Sequence, residues 1–248
     1  MFKGFYNLTS GMLTHGRNLD VISNNMTNIA TAGFKSDRFT ASTFDEVMWS
    51  QVGNKNKLYE DIGEQSYITA PSQLYTDYTQ GSFDETGLPL DFAIEGEGFF
   101  AIETDEGRFY TRSGNFSLDD ETYLCYSDKG RVLDINGEPI QLVTDKITAD
   151  ERGDLFLENG GFLGRIGVYA FADMAQVEKN AQGLFTSDAQ PQLVDARVIQ
   201  GMTERSNVDL AQQMAEMIAT QRAYQSVAEV TKIYDQLMNR ATTEVGRL

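Results

Sequence analysis

Between Arg205 and Val245 no glycine or proline interrupts the chain. Such a run supports a helix of roughly eleven turns. Ser206 or Asn207 is the expected N-cap, because a short polar side chain there can accept from the first free amides. One face of this helix carries Leu210, Met214, Met217, Gln221, Tyr224 and Ala228. The opposite face carries Val208, Ala215, Ala219, Ala223, Val230, Ile233 and Leu237. A helix on the surface of a globule has one apolar stripe, whereas apolar residues on two faces call for neighbours on both sides. Packing among several helices is therefore expected, with simple burial in the chain's own core as the alternative.

The N-terminus also reads as a helix. Phe5, Leu8, Met12, Leu19, Ile22, Met26 and Ile29 fall on alternating steps of three and four, with His15 in the missing slot. That is a heptad-like seam. Residues 1–34 hold only three charges, Lys3, Arg17 and Asp20, and none lies between Val21 and Phe34. At the chain-wide 23 per cent, about eight would stand there. Gly4, Gly11 and Gly16 weaken the first turns. Gly33 suits the left-handed position that closes a helix, with Phe34 reaching back to Ile29, so an end near Ala32 is expected. The stretch "NNMTNIATAGF" is unusual in this setting, since Asn and Thr compete for backbone hydrogen bonds. On a helical wheel Asn24, Asn28 and Thr31 lie opposite the seam, and Asn25 at its edge. The expectation is a second interface whose amides fix register without burying charge; a water-facing surface is the plainer alternative.

Between the helices the period changes to two. From Leu90 to about Ala172, short apolar or alternating runs are separated by "DEG", "DKG", "NG" and "ENGG" at hairpin spacing. Residues 35–81 show no clear period and read as an extended arm. The expected fold is α+β: a helix over 1–34, an arm over 35–81, an antiparallel all-β domain over 82–204 and a helix over 205–248. The two terminal helices are expected to pair as a coiled-coil stalk.

Composition narrows the function. With 37 acidic and 20 basic residues the net charge is −17, which repels nucleic acid and anionic lipid at long range. The single cysteine, Cys125, forbids an intrachain disulfide and sits in a strand-like run as a buried thiol. No stretch of 18 apolar residues exists, so a membrane-spanning helix is not expected. The N-terminus lacks an apolar core followed by a cleavage site, so a secretory signal is not expected either. His15, the one histidine, cannot anchor a triad or a His-rich metal site. Acidic clusters at Asp84–Glu85, Glu103–Glu106, Asp119–Glu121 and Asp150–Asp154 fall in turns, where solvation explains them; paired carboxylates acting on carbohydrate are the rival reading. "DERGDLFLE" lacks the spacing of a calcium loop, and "EGEG" is not followed by a helix as a dinucleotide loop requires. No catalytic, cofactor or metal residue is assigned, and no cofactor is implied.

Three blocks together resemble one family, the flagellar axial proteins, and within it the basal-body rod proteins of the proximal and distal type. The first is Asn24-Asn25-x-x-Asn28-x-x-Thr31-x-Gly33-Phe34, followed by Lys35. The second is "TGLPLDFAIEGEGFF" with "YTRSGNFSLD" after it. The third is "SNVDLAQQMAEMIATQRAYQS", which includes Ile218, Gln221 and Arg222. Leu88 departs from the family's usual Asn, and "ETYLCYSDKGRVLDINGEPI" matches the usual hairpin loosely. The resemblance implies a structural subunit exported by the flagellar type III apparatus. It further implies helical assembly of the chain with itself and with other rod or hook subunits. The terminal helices would form an inner layer, folding as they pack. The "QRAYQ" helix looks more like the distal subunit, the short length and the arm leave the proximal one open, and a hook or hook-junction subunit is the other axial reading. Phe5, Leu8, Met12, Leu19, Ile22, Asn24, Asn25, Met26, Asn28, Ile29, Thr31, Gly33 and Phe34 are the interface residues expected from the N-terminal segment. Leu210, Met214, Met217, Ile218, Gln221, Arg222 and Tyr224 are those expected from the C-terminal helix.

Overall fold

The computed structural model describes residues 2–43, 47–52, 59–65, 69–180, 182–187 and 189–246. The chain divides into two compact units. A helical unit comprises Met1–Thr27, Asp37–Asp77 and Asp209–Leu248. A β-rich unit comprises Asn28–Ser36 and Tyr78–Val208.

The helical unit holds α1 (Phe2–Thr27) and α2 (Leu210–Val245), together with strands β1 (Asp37–Thr43), β2 (Val47–Val52), β3 (Tyr59–Gln65) and β4 (Thr69–Thr76). α1 tolerates its hydroxyl residues because they bond back to the preceding turn. Thr9, Thr14 and Thr27 donate to the carbonyls of Phe5, Ser10 and Ser23 at 2.8–2.9 Å. The helix ends at Thr27 rather than near Ala32. Beyond it the chain turns: the Thr31 N–H donates to the Asn28 carbonyl and the Thr31 hydroxyl to Asn28 Oδ1. α2 begins one turn later than its sequence suggested. Asp209 is the N-cap, accepting from the amides of Ala211 (2.8 Å) and Gln212 (3.2 Å).

The two helices run antiparallel, because contacts descend along α2 as they ascend along α1. Phe5 meets Tyr234, Met12 meets Thr231, Asn18 meets Thr220 and Asn25 meets Gln213. The expected coiled-coil stalk is corrected by this geometry. Of the seven seam residues only Ile22 is buried. Small and polar residues share the side facing α2 with Phe5 and Met12. Gly4, Gly11 and Gly16 face Tyr234, Val227 and Tyr224, with 3.7, 3.9 and 3.9 Å between an added Cβ and those side chains. Thr14, Asn25 and Thr220 are buried. The glycines bring the α1 backbone close to the side chains of α2, while the seam residues Phe5 and Met12 also touch α2. β1 and β4 also pack on α1, which a two-helix stalk does not provide for. Within the segment read as an extended arm, β1 pairs antiparallel with β4, and β2 with β3. "GNKNK" lies outside the described residues.

In the β-rich unit an antiparallel sheet centres on Phe99–Thr104. This strand pairs with Gly107–Thr111 along one edge, and with Arg131–Val132 and Val168–Ala170 along the other. Its residues alternate between two apolar clusters. Phe100 and Ile102 join Phe92, Ile94, Leu124 and Leu155; Phe99 and Ala101 join Tyr110, Tyr169, Phe171 and Phe185. A strand covered on both faces accounts for the unbroken "FFAI". The turn signals fall where the strands reverse: Gly107, Gly137 and Gly160 have positive φ. Cys125 is a buried free thiol in the strand Leu124–Cys125. Two short 3₁₀ turns, Ser127–Lys129 and Met174–Gln176, make the unit β-rich rather than all-β.

Candidate functional site: helix faces and a buried ionic cluster

The amide of Asn25 is 1 % exposed and grips the backbone of Asp37 from both sides. Its Nδ2 donates to the Asp37 carbonyl (2.8 Å), and the Asp37 N–H donates to its Oδ1 (2.9 Å). Nδ2 also reaches Gln213 Oε1 at 3.3 Å. A carboxamide is the one neutral side chain that offers donor and acceptor at that separation, so it stands in for a strand partner. Asn25→Leu is expected to destabilise the helical unit by about 2–3 kcal/mol, since two backbone groups lose buried partners. Urea titration followed by circular dichroism reads this, with the exposed Asn7→Ala as the control expected to stay within ~0.5 kcal/mol.

The remaining interface residues divide by exposure. Phe5, Asn24, Thr31, Leu210, Met214, Ile218, Gln221 and Arg222 are exposed. Leu8, Met12, Leu19, Met26, Asn28, Ile29, Met217 and Tyr224 are half-buried. Gly33 and Phe34 are buried in the β-rich unit. Phe34 lies under Lys179, whose Nζ stands 3.7 Å from the ring centroid. On α2 the exposed apolar side chains form two stripes, Leu210–Met214–Ile218 and Val230–Ile233–Leu237. At 100° per residue these lie on opposite sides of the face turned to α1.

The sequence reading missed a cluster at Glu204. This carboxylate is fully buried. Lys35 Nζ donates to its Oε1 at 2.6 Å and Arg112 Nη1 to its Oε2 at 3.2 Å; the Gly81 N–H also donates to Oε1, at 2.9 Å. The Glu204 carbonyl accepts from the Gly33 N–H at 2.7 Å. Lys35 Nζ also donates to the Thr79 carbonyl, and Arg112 to the carbonyls of Ile94 and Gly96. Burial lowers the pKa of the Arg112 guanidinium, against the pull of Glu204 and Glu97. Arg112 Nε is buried without a partner among the described residues. Two cations thus share one carboxylate. Lys35 follows Gly33-Phe34, Arg112 lies in "YTRSG", and Glu204 stands just before "SNVD". That convergence of three separate blocks is the signal that could have revealed it.

Glu103, Asp105 and Asp119 border one open cleft of about 600 Å³, with Lys129 and Arg131 beside them. Asp119 is occupied structurally. It accepts from the amides of Glu121 and Tyr123 and from Arg131 Nε, and these bonds outweigh its desolvation and hold its pKa below the ordinary range. Asp150 does not line this cleft; it caps its own turn, accepting from the amides of Arg152 and Asp154. Among the described residues no group of three or more His, Cys, Asp or Glu is placed to hold a metal. Among the described residues no helix is long and apolar enough to cross a membrane.

Residues 199–244 match the model of the flagellar basal body rod FlgEFG protein C-terminal region, and residues 93–163 that of the flagellar hook protein FlgE/F/G D1 domain. The chain is 31 % identical to the flagellar basal-body rod protein FlgG of Bacillus subtilis, over 96 % of its own length and 97 % of the relative's. The chain belongs to the flagellar basal-body rod protein family. This rod-family chain is also 29 % identical to the rod protein FlgF of Caulobacter vibrioides, with both chains covered completely. It is 27 % identical to the hook-basal body complex protein FlhO of Bacillus subtilis, again over the whole of both chains. It is a structural subunit of the flagellar basal body, in the rod and hook class. Leu210–Ile218 and Glu204 both lie within the C-terminal match, whereas the Asn25 clasp lies outside either matched region.

Proposed function

We propose that the chain is a distal-rod subunit that assembles helically and transmits torque from motor to hook. The observation that carries this reading is the pair of exposed apolar stripes on α2, Leu210–Met214–Ile218 and Val230–Ile233–Leu237. Stripes on opposite sides of one helix call for two different neighbours. Contacts of that heterologous kind build an open helix when the rotation between subunits does not close into a ring. The "QRAYQ" sequence favours the distal position. Export without a cleaved signal, through the flagellar type III apparatus, belongs to the same reading. Gold labelling of the chain in isolated basal bodies tests it: label confined to the proximal rod or to the hook refutes the distal assignment.

Met214→Lys combined with Ile218→Lys is expected to leave monomer stability within about 0.5 kcal/mol, because both sites are exposed. The same variant is expected to abolish rod assembly and swimming. Normal basal bodies from that double variant would remove the stripe from the assembly interface.

The negative charge lies outside the terminal segments: residues 37–77 of the helical unit carry seven acidic and three basic residues. The terminal segments, residues 1–27 and 209–248, carry six acidic and six basic residues and are neutral overall. The β-rich unit carries 24 acidic and 11 basic residues, a net of −13. Neighbouring β-rich units therefore repel, while apolar helix contacts are little affected by screening. Self-association is expected to strengthen as salt rises toward physiological ionic strength, where the Debye length is about 8 Å. Sedimentation across a salt series reads this; association that weakens with salt would point to ion pairs as the dominant contacts.

A further inference from the structure

The chain passes out of the β-rich unit after Ser36, returns at Tyr78 and leaves again after Val208. These three crossings, of four in all (the first is at Thr27–Asn28), are tied together inside that unit. Asn207 Oδ1 accepts from the Ser36 N–H at 2.8 Å, and Asn207 Nδ2 donates to the carbonyl and hydroxyl of Thr79 at 3.2 and 3.3 Å. Lys35 Nζ bridges Glu204 Oε1 and the Thr79 carbonyl. The Gly33 N–H meets the Glu204 carbonyl, and the Gly81 N–H meets its carboxylate. Three segments remote in sequence are thus joined by two side chains, Glu204 and Asn207, which lie three residues apart.

We infer that Glu204 and Asn207 form a mechanical clamp on the passages by which the chain leaves the β-rich unit. A pull entering along one passage is shared with the others, and the sheet behind the clamp is spared. Tension applied at the two ends of the chain enters this unit at Asn28 and leaves it at Val208. The clamp joins residues 33–36 directly to 204–207, so this force bypasses the residues between them until the clamp breaks. The buried Lys35–Glu204 pair resists because separating it exposes or strands a charge. The inference rests on the torque-bearing reading only for its purpose, since the clamp can be tested on the isolated chain.

The test is constant-force pulling on single full-length chains held at their termini. At a fixed load, Asn207→Ala is expected to open the β-rich unit roughly tenfold faster than the unaltered chain, as loss of several hydrogen bonds on the force path implies. Arg197→Ala, which removes an exposed pair with Glu95 and Glu151 away from the passages, is expected to change nothing. Glu204→Gln should open still faster. If that variant does not fold, Asn207→Ala still decides the matter, because it leaves no buried charge unpaired. Equal opening rates for Asn207→Ala and the unaltered chain, or equal acceleration by Asn207→Ala and Arg197→Ala, would overturn the clamp. Failure of the rod reading is recognised separately, by normal basal bodies and swimming in cells that lack the protein.

Discussion

Glu204→Ala is expected to cost the β-rich unit roughly 3–5 kcal/mol, because it strands two buried cations. Lys35 and Arg112 are 1 % and 5 % exposed, so solvent cannot replace the carboxylate without opening the unit. Lys35 would keep the Thr79 carbonyl, and Arg112 the carbonyls of Ile94 and Gly96, but none of these carries a full charge. The Gly81 N–H would lose its acceptor as well. The loss is a property of the unpaired state and does not measure what the intact cluster contributes. Replacing all three partners together, Lys35→Met with Arg112→Met and Glu204→Leu, is therefore expected to recover most of the stability. Urea unfolding of the full chain, followed by near-ultraviolet circular dichroism, checks both variants. A triple variant as unstable as Glu204→Ala would show that the cluster is net stabilising here.

Gly33→Ala is expected to be the most damaging single-methyl change in the N-terminal motif, at roughly 3 kcal/mol or more. Two effects add. Gly33 has φ +68°, where an L side chain costs about 1–2 kcal/mol. An added Cβ would also stand 2.2 Å from the Ser113 nitrogen and 2.4 Å from the Arg112 carbonyl carbon, and backbone cannot rotate aside as a side-chain tip can. Gly183 separates the effects, since it has φ +78° with nothing within 4 Å of its Cβ direction. Gly183→Ala is expected to show only the conformational cost. Thermal unfolding of the two variants side by side reads the difference; equal losses would mean that Gly33 has room to move.

The glycine at 33 and the helix before it were both visible in the sequence, yet the role of the glycine was not. Positive φ was anticipated from the helix-ending pattern. The close approach to Ser113 was not, because nothing local in "TAGFK" points to a segment some eighty residues away. The burial of polar residues on α1 was missed for a related reason. A heptad rule ranks positions by hydrophobicity, so it chose Phe5, Met12 and Met26. In the structure Phe5 and Met12 do meet α2, but the buried positions of α1 are Thr14, Ile22 and Asn25, the last because it binds the backbone of Asp37. The amides of the N-terminal block are divided accordingly. Asn25 is a strand substitute, Asn28 belongs to a turn, and Asn24 is exposed. The N-cap shifted to Asp209 because Asn207 is engaged by Ser36 and Thr79. What could be read directly were the features fixed by short range: the unbroken C-terminal helix, the glycine turns of the sheet and the thiol within a strand. The ionic cluster needs pairings 169 and 92 residues apart, which no periodicity encodes.

The segment from β1 to β4 starts and finishes in register, Asp37 opposite Thr76, while Ser36 and Thr79 are both bound to Asn207. Its two roots are therefore fixed side by side whatever happens beyond them. In evolutionary terms this makes residues 37–77 a cassette. Length can be added or removed one residue pair at a time in β2 and β3, because β1 and β4 are the strands that pack on α1. A lineage could change the length of this segment by insertion or deletion there, leaving the ionic cluster and the strands packed on α1 untouched.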